Sequence, residues 1–170
     1  YATANGMKQS TASLLVVLFN GLSIPGRLIP SYLADIWGRF NMLCVVGLTS
    51  TLAFAIIWLP PPIGHTRVGI YLFSAIYGFT SGSILSIAPA CVGQICHTKD
   101  FGKRYGTAYF ALSFADLLGI PIGGAFIGTN TYSVKGYDNM VIFITVLSAI
   151  GTIAALVARY LHGGLKWVIV

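Results

Sequence analysis

The chain has 170 residues, of which 56% are apolar and only 8% are charged, whereas about a quarter of the residues of an average soluble domain carry a charge. So few charges cannot cover a water-exposed surface, which excludes a soluble globular domain. The net charge of +6 comes from ten Lys and Arg against four Asp and Glu, and these residues are scattered singly instead of forming the basic patch of a nucleic-acid-binding protein. We therefore expect an all-α protein of the lipid bilayer with no nucleic acid partner.

Five apolar stretches are long enough to cross a membrane, because about 20 mostly apolar residues in a helix span about 30 Å of hydrocarbon. We predict one transmembrane bundle, with helices over residues 11–34, 42–59, 68–95, 105–128 and 139–161. The separators contain prolines, glycines and charges, which are typical of loops. They are residues 35–41, the segment around Pro60, Pro61, Pro62 and Gly64, residues 97–104 and residues 129–138.

The Lys and Arg residues divide unevenly between the two sides of this bundle. One side has six, which are Arg39, Lys99, Lys103, Arg104, Arg159 and Lys166, and the other has three, which are Lys8, Arg67 and Lys135. Because short cytoplasmic loops carry the excess of positive charge, we expect an external N-terminus and a cytoplasmic C-terminus. No signal peptide precedes the first span, so we expect at least one earlier helix and hence a fragment of a longer multi-pass protein of the plasma or the vacuolar membrane.

Small residues mark where helices approach each other closely in a membrane. The third span has five of them at four-residue spacing, which are Ser74, Gly78, Gly82, Ser86 and Ala90. This face is expected to lie on another helix or on a narrow cavity. The fourth span has Gly119 with Gly123 and Gly124 with Gly128, and the fifth has only Ser148 and Thr152.

Three prolines within the predicted spans, Pro25, Pro89 and Pro121, each remove a backbone donor and predict a kink. The sequence from Gly119 through Pro121 to Gly123 and Gly124 is the most helix-breaking. Interrupted helices in transporters often lie beside the substrate cavity. The alternative is a kink that neighbouring helices tolerate.

Two ionisable residues are predicted inside the membrane. Asp116 lies about 16 Å into the fourth span and Arg27 about 12 Å from Asp35 at the end of the first span. Intramembrane charges face protein or water and have partners, so Asp116 is either a substrate residue or a structural one. Arg27 either extends its side chain to the interface or binds an anionic substrate.

These two residues suggest a pair across the first and fourth spans, because their depths differ by less than the length of an Arg side chain. We hypothesise that Arg27 and Asp116 approach each other directly or through water, with a substrate anion or a proton competing for the pair. In the alternative, Asp116 bonds locally near Ser113, and Arg27 pairs with an acid from another part of the protein.

Two sequence motifs stand out, which are GRLIPSYLADIWGRFN from Gly26 to Asn41 and GIPIGGAFIG from Gly119 to Gly128. They resemble the major facilitator superfamily, in particular its fungal monocarboxylate-transporter-like branch. The resemblance implies five transmembrane helices corresponding to helices eight to twelve of a twelve-helix fold, with the N-terminal half of the transporter as partner. It implies alternating access and a substrate-carboxylate role for Arg27, whereas animal carriers have Asp at the position of Ser23. The candidate substrate-binding residues are Arg27, Asp116, Asn20 and Ser23.

The loop motif also has a physical basis. Asp35 and Arg39 are four residues apart and can pair, and Gly38 permits a tight reversal between two spans. The resemblance implies that this loop holds one conformational state against the other half of the transporter. Alternatively, these charges only mark the membrane boundary.

These observations predict a secondary carrier of a small organic molecule, namely an organic anion or monocarboxylate-like solute. The alternative function is a non-transporting receptor or regulatory remnant of the same fold. An enzyme is not expected, since no set of nucleophile, base and metal recurs at helical spacing. The odd number of three cysteines and the separated histidines predict no disulfide framework and no metal site, and no cofactor is expected.

Overall fold

A computed structural model describes residues 2–3, 7–60, 66–127 and 134–163 as a bundle of long helices. They are α1 (Gln9–Trp37), α2 (Arg39–Leu52, followed by a π-helical segment Ala53–Trp58), α3 (Arg67–Gln94), α4 (Phe101–Ile127, after a 3-10 turn Thr98–Asp100) and α5 (Val134–Gly163). Five helical segments in this part of the chain are long and apolar enough to cross a membrane, and no strand occurs in it. The predicted all-α membrane fold is confirmed.

The connection between α1 and α2 is much shorter than predicted. The expected loop over residues 35–41 is wrong, because α1 continues to Trp37 and α2 begins at Arg39. Gly38 alone separates them, with a φ of 92° that side-chain-bearing residues rarely adopt. The chain therefore reverses its direction between α1 and α2 at a single glycine, whereas the sequence predicted a loop of seven residues.

The other helix ends differ less from the predicted boundaries. Thr66 caps α3 by accepting a hydrogen bond of 3.1 Å from the Gly69 backbone N–H. The polyproline segment at residues 61–65 and part of the predicted loop, residues 129–133, lie outside the described residues. Of the two alternatives for the fourth span, the interrupted helix is not found, because α4 continues through Pro121 to Ile127.

Helices α1 and α3 run parallel and pack backbone against backbone. A Cβ atom built on Gly78 would lie 2.6 Å from the Phe19 carbonyl oxygen, and one on Gly82 would lie 2.5 Å from that of Ser23. From the other side, a Cβ on Gly26 would lie 2.2 Å from the Phe79 carbonyl oxygen. The small-residue stripe of α3 thus allows α1 to approach closely.

Helices α2 and α5 run antiparallel and are joined by hydroxyl groups. The Thr51 hydroxyl lies 3.0 Å from that of Ser148 and 2.9 Å from that of Thr152. A Cβ on Gly47 would lie 3.1 Å from the Thr152 hydroxyl oxygen, so this glycine brings the helices together. The fifth span has only the two small residues Ser148 and Thr152 at this spacing, and both contact α2.

Helix α4 stands apart from this packing. Of the α4 residues whose burial is described, all except Phe101, Tyr105 and Gly123 are exposed. It contacts α3 where the Phe101 ring lies 3.5 Å from a Cβ built on Gly93. It contacts α5 through the Phe126 and Phe143 rings, whose centroids are 5.3 Å apart.

Candidate functional site

Arg27 extends from the middle of α1 without joining the packing between α1 and α3. Its neighbour Gly26 is buried against α3, whereas Arg27 itself is exposed. Among the described residues, no ion pair or hydrogen bond is found for the Arg27 guanidinium. The residue therefore presents a permanent positive charge within a span that contains few charges.

Asn20 lies on the same face of α1 as Arg27. The two residues are seven positions apart, which is about two helical turns, and both are exposed. Their side chains are therefore aligned along the helix axis, about 10 Å apart in rise. An amide and a guanidinium on one face can bind different polar groups of one solute.

Ser23 has a different environment from the other two candidates on α1. Its hydroxyl donates a hydrogen bond of 2.7 Å to the Asn20 carbonyl oxygen, and its backbone lies against Gly82 of α3. Its hydroxyl hydrogen is therefore already used within α1, in contrast to the guanidinium of Arg27.

The structure does not contain the hypothesised direct pair between Arg27 and Asp116. Asp116 is exposed on α4, which packs on α5 and on the end of α3, whereas α1 packs on α3 and α2. Asp35 instead forms an ion pair with Arg39, and neither residue belongs to the hypothesised pair. The direct pairing is wrong because similar depth in the membrane does not bring together two helices that share no packing face.

The alternative local bond of Asp116 to Ser113 is also absent. The Ser113 hydroxyl donates to the Phe110 carbonyl oxygen at 2.7 Å, within its own helix. Farther along α4, Cβ atoms built on Gly119, Gly123 and Gly124 would meet no other described atom within 4 Å. These glycines and Pro121 thus lie on a helix that is open to its surroundings.

The loop motif connects three helices at one end of the bundle. An Arg39 Nη2 atom lies 3.5 Å from Asp35 Oδ1, which joins α2 to α1. The Nη1 atom of Arg39 donates a hydrogen bond of 3.3 Å to the Ala90 carbonyl oxygen near the end of α3. The motif therefore makes physical contacts within this chain as well as marking the end of a span.

Two further residues at this end were not identified from the sequence. Asn41 Nδ2 donates to the Trp37 carbonyl oxygen at 2.7 Å, and Arg159 Nε donates to Asn41 Oδ1. In the sequence, Arg159 contributes only to the count of basic residues on one side of the membrane. The sequence places Arg159 at the same membrane end as Asn41, the last residue of the motif. This shared position is the feature from which their contact could be predicted.

Most of the basic residues assigned to one side of the membrane do lie at one end of the bundle. Arg39 contacts the end of α3, and Asn41, two residues later, bonds to Arg159 near the end of α5. Lys103 and Arg104 lie in the first turn of α4, which a short connection joins to the end of α3. Among the described residues, no group of three or more His, Cys, Asp or Glu is placed to hold a metal ion.

Comparison with known proteins gives consistent matches along the chain. The sequence profile of the Major Facilitator Superfamily matches residues 1–167. A riboflavin transporter of Saccharomyces cerevisiae is 40% identical over 168 residues, which cover 99% of this chain and 32% of that protein. An MFS-type transporter of Gibberella moniliformis is 36% identical over 168 residues, which cover 98% of this chain and 39% of that protein.

A third relative is the aspyridones efflux protein of Emericella nidulans, which is 33% identical over 161 residues that cover 94% of this chain and 31% of that protein. The chain thus spans about a third of the length of the curated relatives that it matches. No solved structure shows significant similarity to it. The profile match over nearly the whole chain, together with five apolar helices, shows that this multi-pass membrane chain belongs to the Major Facilitator Superfamily.

Proposed function

We propose that the chain is part of the C-terminal half of a secondary carrier that moves a small organic anion by alternating access. The observation that carries this proposal is the Arg27 guanidinium, exposed from the middle of a transmembrane helix and without an acid partner among the described residues. A permanent charge at that depth is costly unless it faces water, a ligand or a polar group of the protein. A substrate carboxylate bound by the planar guanidinium would meet this requirement.

The relatives support transport but name different solutes. One is named for transport of riboflavin and another for efflux of aspyridones. Because these relatives are transporters, we propose that this chain also functions in transport and not in catalysis. We therefore propose that the solute carries an anionic group or a strong hydrogen-bond acceptor, which binds the Arg27 guanidinium. A monocarboxylate is the simplest such solute. Asn20, on the same face, would bind a second polar group of the same molecule.

The remaining candidates have supporting roles in this proposal. Asp116 faces outward from α4, where the N-terminal half of the carrier would provide its polar or aqueous surroundings. Asp35, Gly38 and Arg39 would hold the ends of α1, α2 and α3 together while the two halves move. The end that contains Arg39 and Arg159 would be cytoplasmic, because cytoplasmic ends carry more Lys and Arg.

The test is uptake by cells that express the full-length carrier, measured with a panel of labelled monocarboxylates. Arg27→Gln removes the charge at an exposed position, so we expect saturable uptake to fall more than about tenfold, the effect of losing one charge-assisted hydrogen bond. Arg67→Gln is the matched control, since Arg67 is exposed at the start of α3 and should leave uptake unchanged.

Two outcomes would contradict the proposal. In one, Arg27→Gln transports the anions as well as the unaltered carrier does, at equal amounts of protein in the membrane. In the other, the unaltered carrier shows no saturable uptake of any anion in the panel, as a receptor of the same fold would.

A further inference from the structure

Two prolines weaken the hydrogen bonding of α1 on both sides of Arg27. Helix α1 continues through Pro25 and Pro30, and neither residue has an amide hydrogen. In a regular helix each amide N–H donates to the carbonyl four residues earlier, so the carbonyls of Gly21 and Gly26 have lost their donors within α1. The segment that carries Arg27 therefore depends on contacts outside its own helix.

The Gly26 carbonyl obtains its missing donor from α3. The hydroxyl of Ser83 donates a hydrogen bond of 2.7 Å to the Gly26 carbonyl oxygen. The same hydroxyl lies 2.8 Å from the Phe79 carbonyl oxygen, but that oxygen is the regular acceptor of the Ser83 backbone N–H. Because a hydroxyl has only one hydrogen, the bond to Gly26 is the one that satisfies an acceptor left without its helical donor.

This hydrogen bond lies in the interior of the bundle. Ser83 and Pro30 are both fully buried, and Gly26 is buried against the Phe79 backbone, where a Cβ atom would clash. Both partners are enclosed by α1 and α3, so the contact does not depend on what covers the outer faces of these helices. A buried carbonyl without a donor is costly, and the bond therefore ties α1 to α3 at this level.

The bonded carbonyl belongs to the peptide group that carries Arg27. The Gly26 carbonyl oxygen and the Arg27 backbone nitrogen lie in one rigid plane, so a bond that fixes this oxygen also fixes the direction in which the chain enters Arg27. Gly26 is buried on α3, whereas Arg27 is exposed. The Ser83 hydroxyl thereby determines where the guanidinium projects, although it does not contact the guanidinium.

We propose that Ser83 is a positioning residue for Arg27 and acts through the peptide group between Gly26 and Arg27. This inference rests on the anion site proposed at Arg27. Without the Ser83 hydroxyl, the proline-weakened segment of α1 shifts against α3, and the guanidinium no longer meets a substrate carboxylate in one fixed geometry. Substrate binding weakens, whereas the movement between the two halves of the carrier is unaffected.

The first test is the KM for uptake of a labelled monocarboxylate by the full-length carrier. Ser83→Ala is expected to raise KM about fivefold, the effect of losing one hydrogen bond. The maximal rate per carrier should stay unchanged, since a loss of binding alone raises KM. Ser81→Ala is the matched control and should leave KM unchanged, because among the described residues the Ser81 hydroxyl bonds only to the Gly78 carbonyl of its own helix.

Pro30→Ala separates hydrogen bonding from packing. It restores an amide hydrogen at position 30, so the Gly26 carbonyl again has a donor within α1. In that background we expect Ser83→Ala to change KM by less than about twofold. The same comparison is made for the amount of folded carrier, so a Ser83→Ala variant that fails to fold still tests the proposal. It is overturned if Ser83→Ala has no effect in the native background, or if its effect is equal in both backgrounds, as a loss of packing alone would give.

A distance that needs no substrate distinguishes this proposal from the anion site on which it rests. Nitroxide labels on Arg27→Cys and on Arg67→Cys at the start of α3 are compared by double electron-electron resonance, in the full-length carrier with its native cysteines replaced by alanine. Ser83→Ala should broaden the distribution of distances, and Ser81→Ala should not. Broadening in a carrier that takes up no anion would contradict only the transport of anions, whereas an unchanged distribution overturns the positioning by Ser83.

Discussion

Asn41 bonds to two other helices from the start of α2. Its amide nitrogen donates to the Trp37 carbonyl at the end of α1 and its amide oxygen accepts from Arg159 of α5, while the residue is only 6% exposed. A buried amide with bonds in both directions fixes the relative positions of the elements it joins.

We predict that Asn41→Leu destabilises the chain by about 1–3 kcal/mol, since it removes both hydrogen bonds and leaves the Arg159 guanidinium without this acceptor. Thr49→Val is the control on the same helix, because the Thr49 hydroxyl is exposed and bonds only to the Val45 carbonyl. Thermal unfolding in detergent measures both variants. An Asn41→Leu melting curve that coincides with that of Thr49→Val would refute the role assigned to Asn41.

Arg27 and Asp116 show how far individual residues can be predicted. Their presence and approximate depth follow from counting along an apolar span, because helix rise is constant. Their pairing does not follow, since it depends on which helices share a face, and α4 has no extensive contact with α1. Asn41 and Arg159 were missed for the related reason that their contact joins residues 118 positions apart.

Among the described glycines, those with the closest contacts lie between α1 and α3. We predict that Gly82→Ala destabilises the chain, because the added methyl group would lie 2.5 Å from the Ser23 carbonyl oxygen and force the two helices apart. Overpacking of this kind typically costs about 1–3 kcal/mol. The measurement is the midpoint of thermal unfolding of the purified chain.

Gly124→Ala is the control for this prediction. It makes the same change within a transmembrane helix, but a Cβ at Gly124 meets no described atom within 4 Å. Alanine is favoured over glycine in a helix by up to about 1 kcal/mol, so this variant should be neutral or more stable. Equal losses of stability in both variants would show that the backbone contact at Gly82 has no special importance.

Helix boundaries were easier to predict than helix connections. The apolar stretches located each helix because hydrophobic length decides what spans a membrane. The segment from Asp35 to Asn41 was wrongly predicted as a loop because its charges resemble loop composition, whereas its residues other than Gly38 complete the ends of two helices. Similarly, Pro121 did not interrupt α4.

For the whole molecule, composition and the length of the apolar stretches were sufficient to predict the fold class. A chain with 8% charged residues must satisfy its backbone within helices or a closed barrel in lipid, and continuous apolar stretches of about 20 residues are typical of helices. Composition did not predict which small residues form interfaces. Gly78 and Gly82 pack on α1, whereas Gly123 and Gly124 face open space. Contacts depend on the angular position of each face, which small-residue spacing alone does not determine.

The placement of the basic residues predicts the orientation of the bundle. We expect a cysteine at position 103, introduced as Lys103→Cys, to react with an impermeant thiol reagent only from the cytoplasmic side, because that end carries most of the Lys and Arg. Arg67→Cys, at the opposite end of α3, should react only from outside. The reverse pattern would invert the proposed topology.

We propose that the face of α1 with Asn20 and Arg27 lines a water-filled substrate path. The direct measurement compares the rates at which a charged methanethiosulfonate modifies Asn20→Cys and Leu28→Cys in the full-length carrier, after its native cysteines are replaced by alanine. Both positions are exposed on α1, but a thiol reacts as the thiolate, which forms in water and not in hydrocarbon. We predict rapid modification at position 20 and slow modification at position 28. Equally slow rates, or a faster reaction at position 28, would contradict the account.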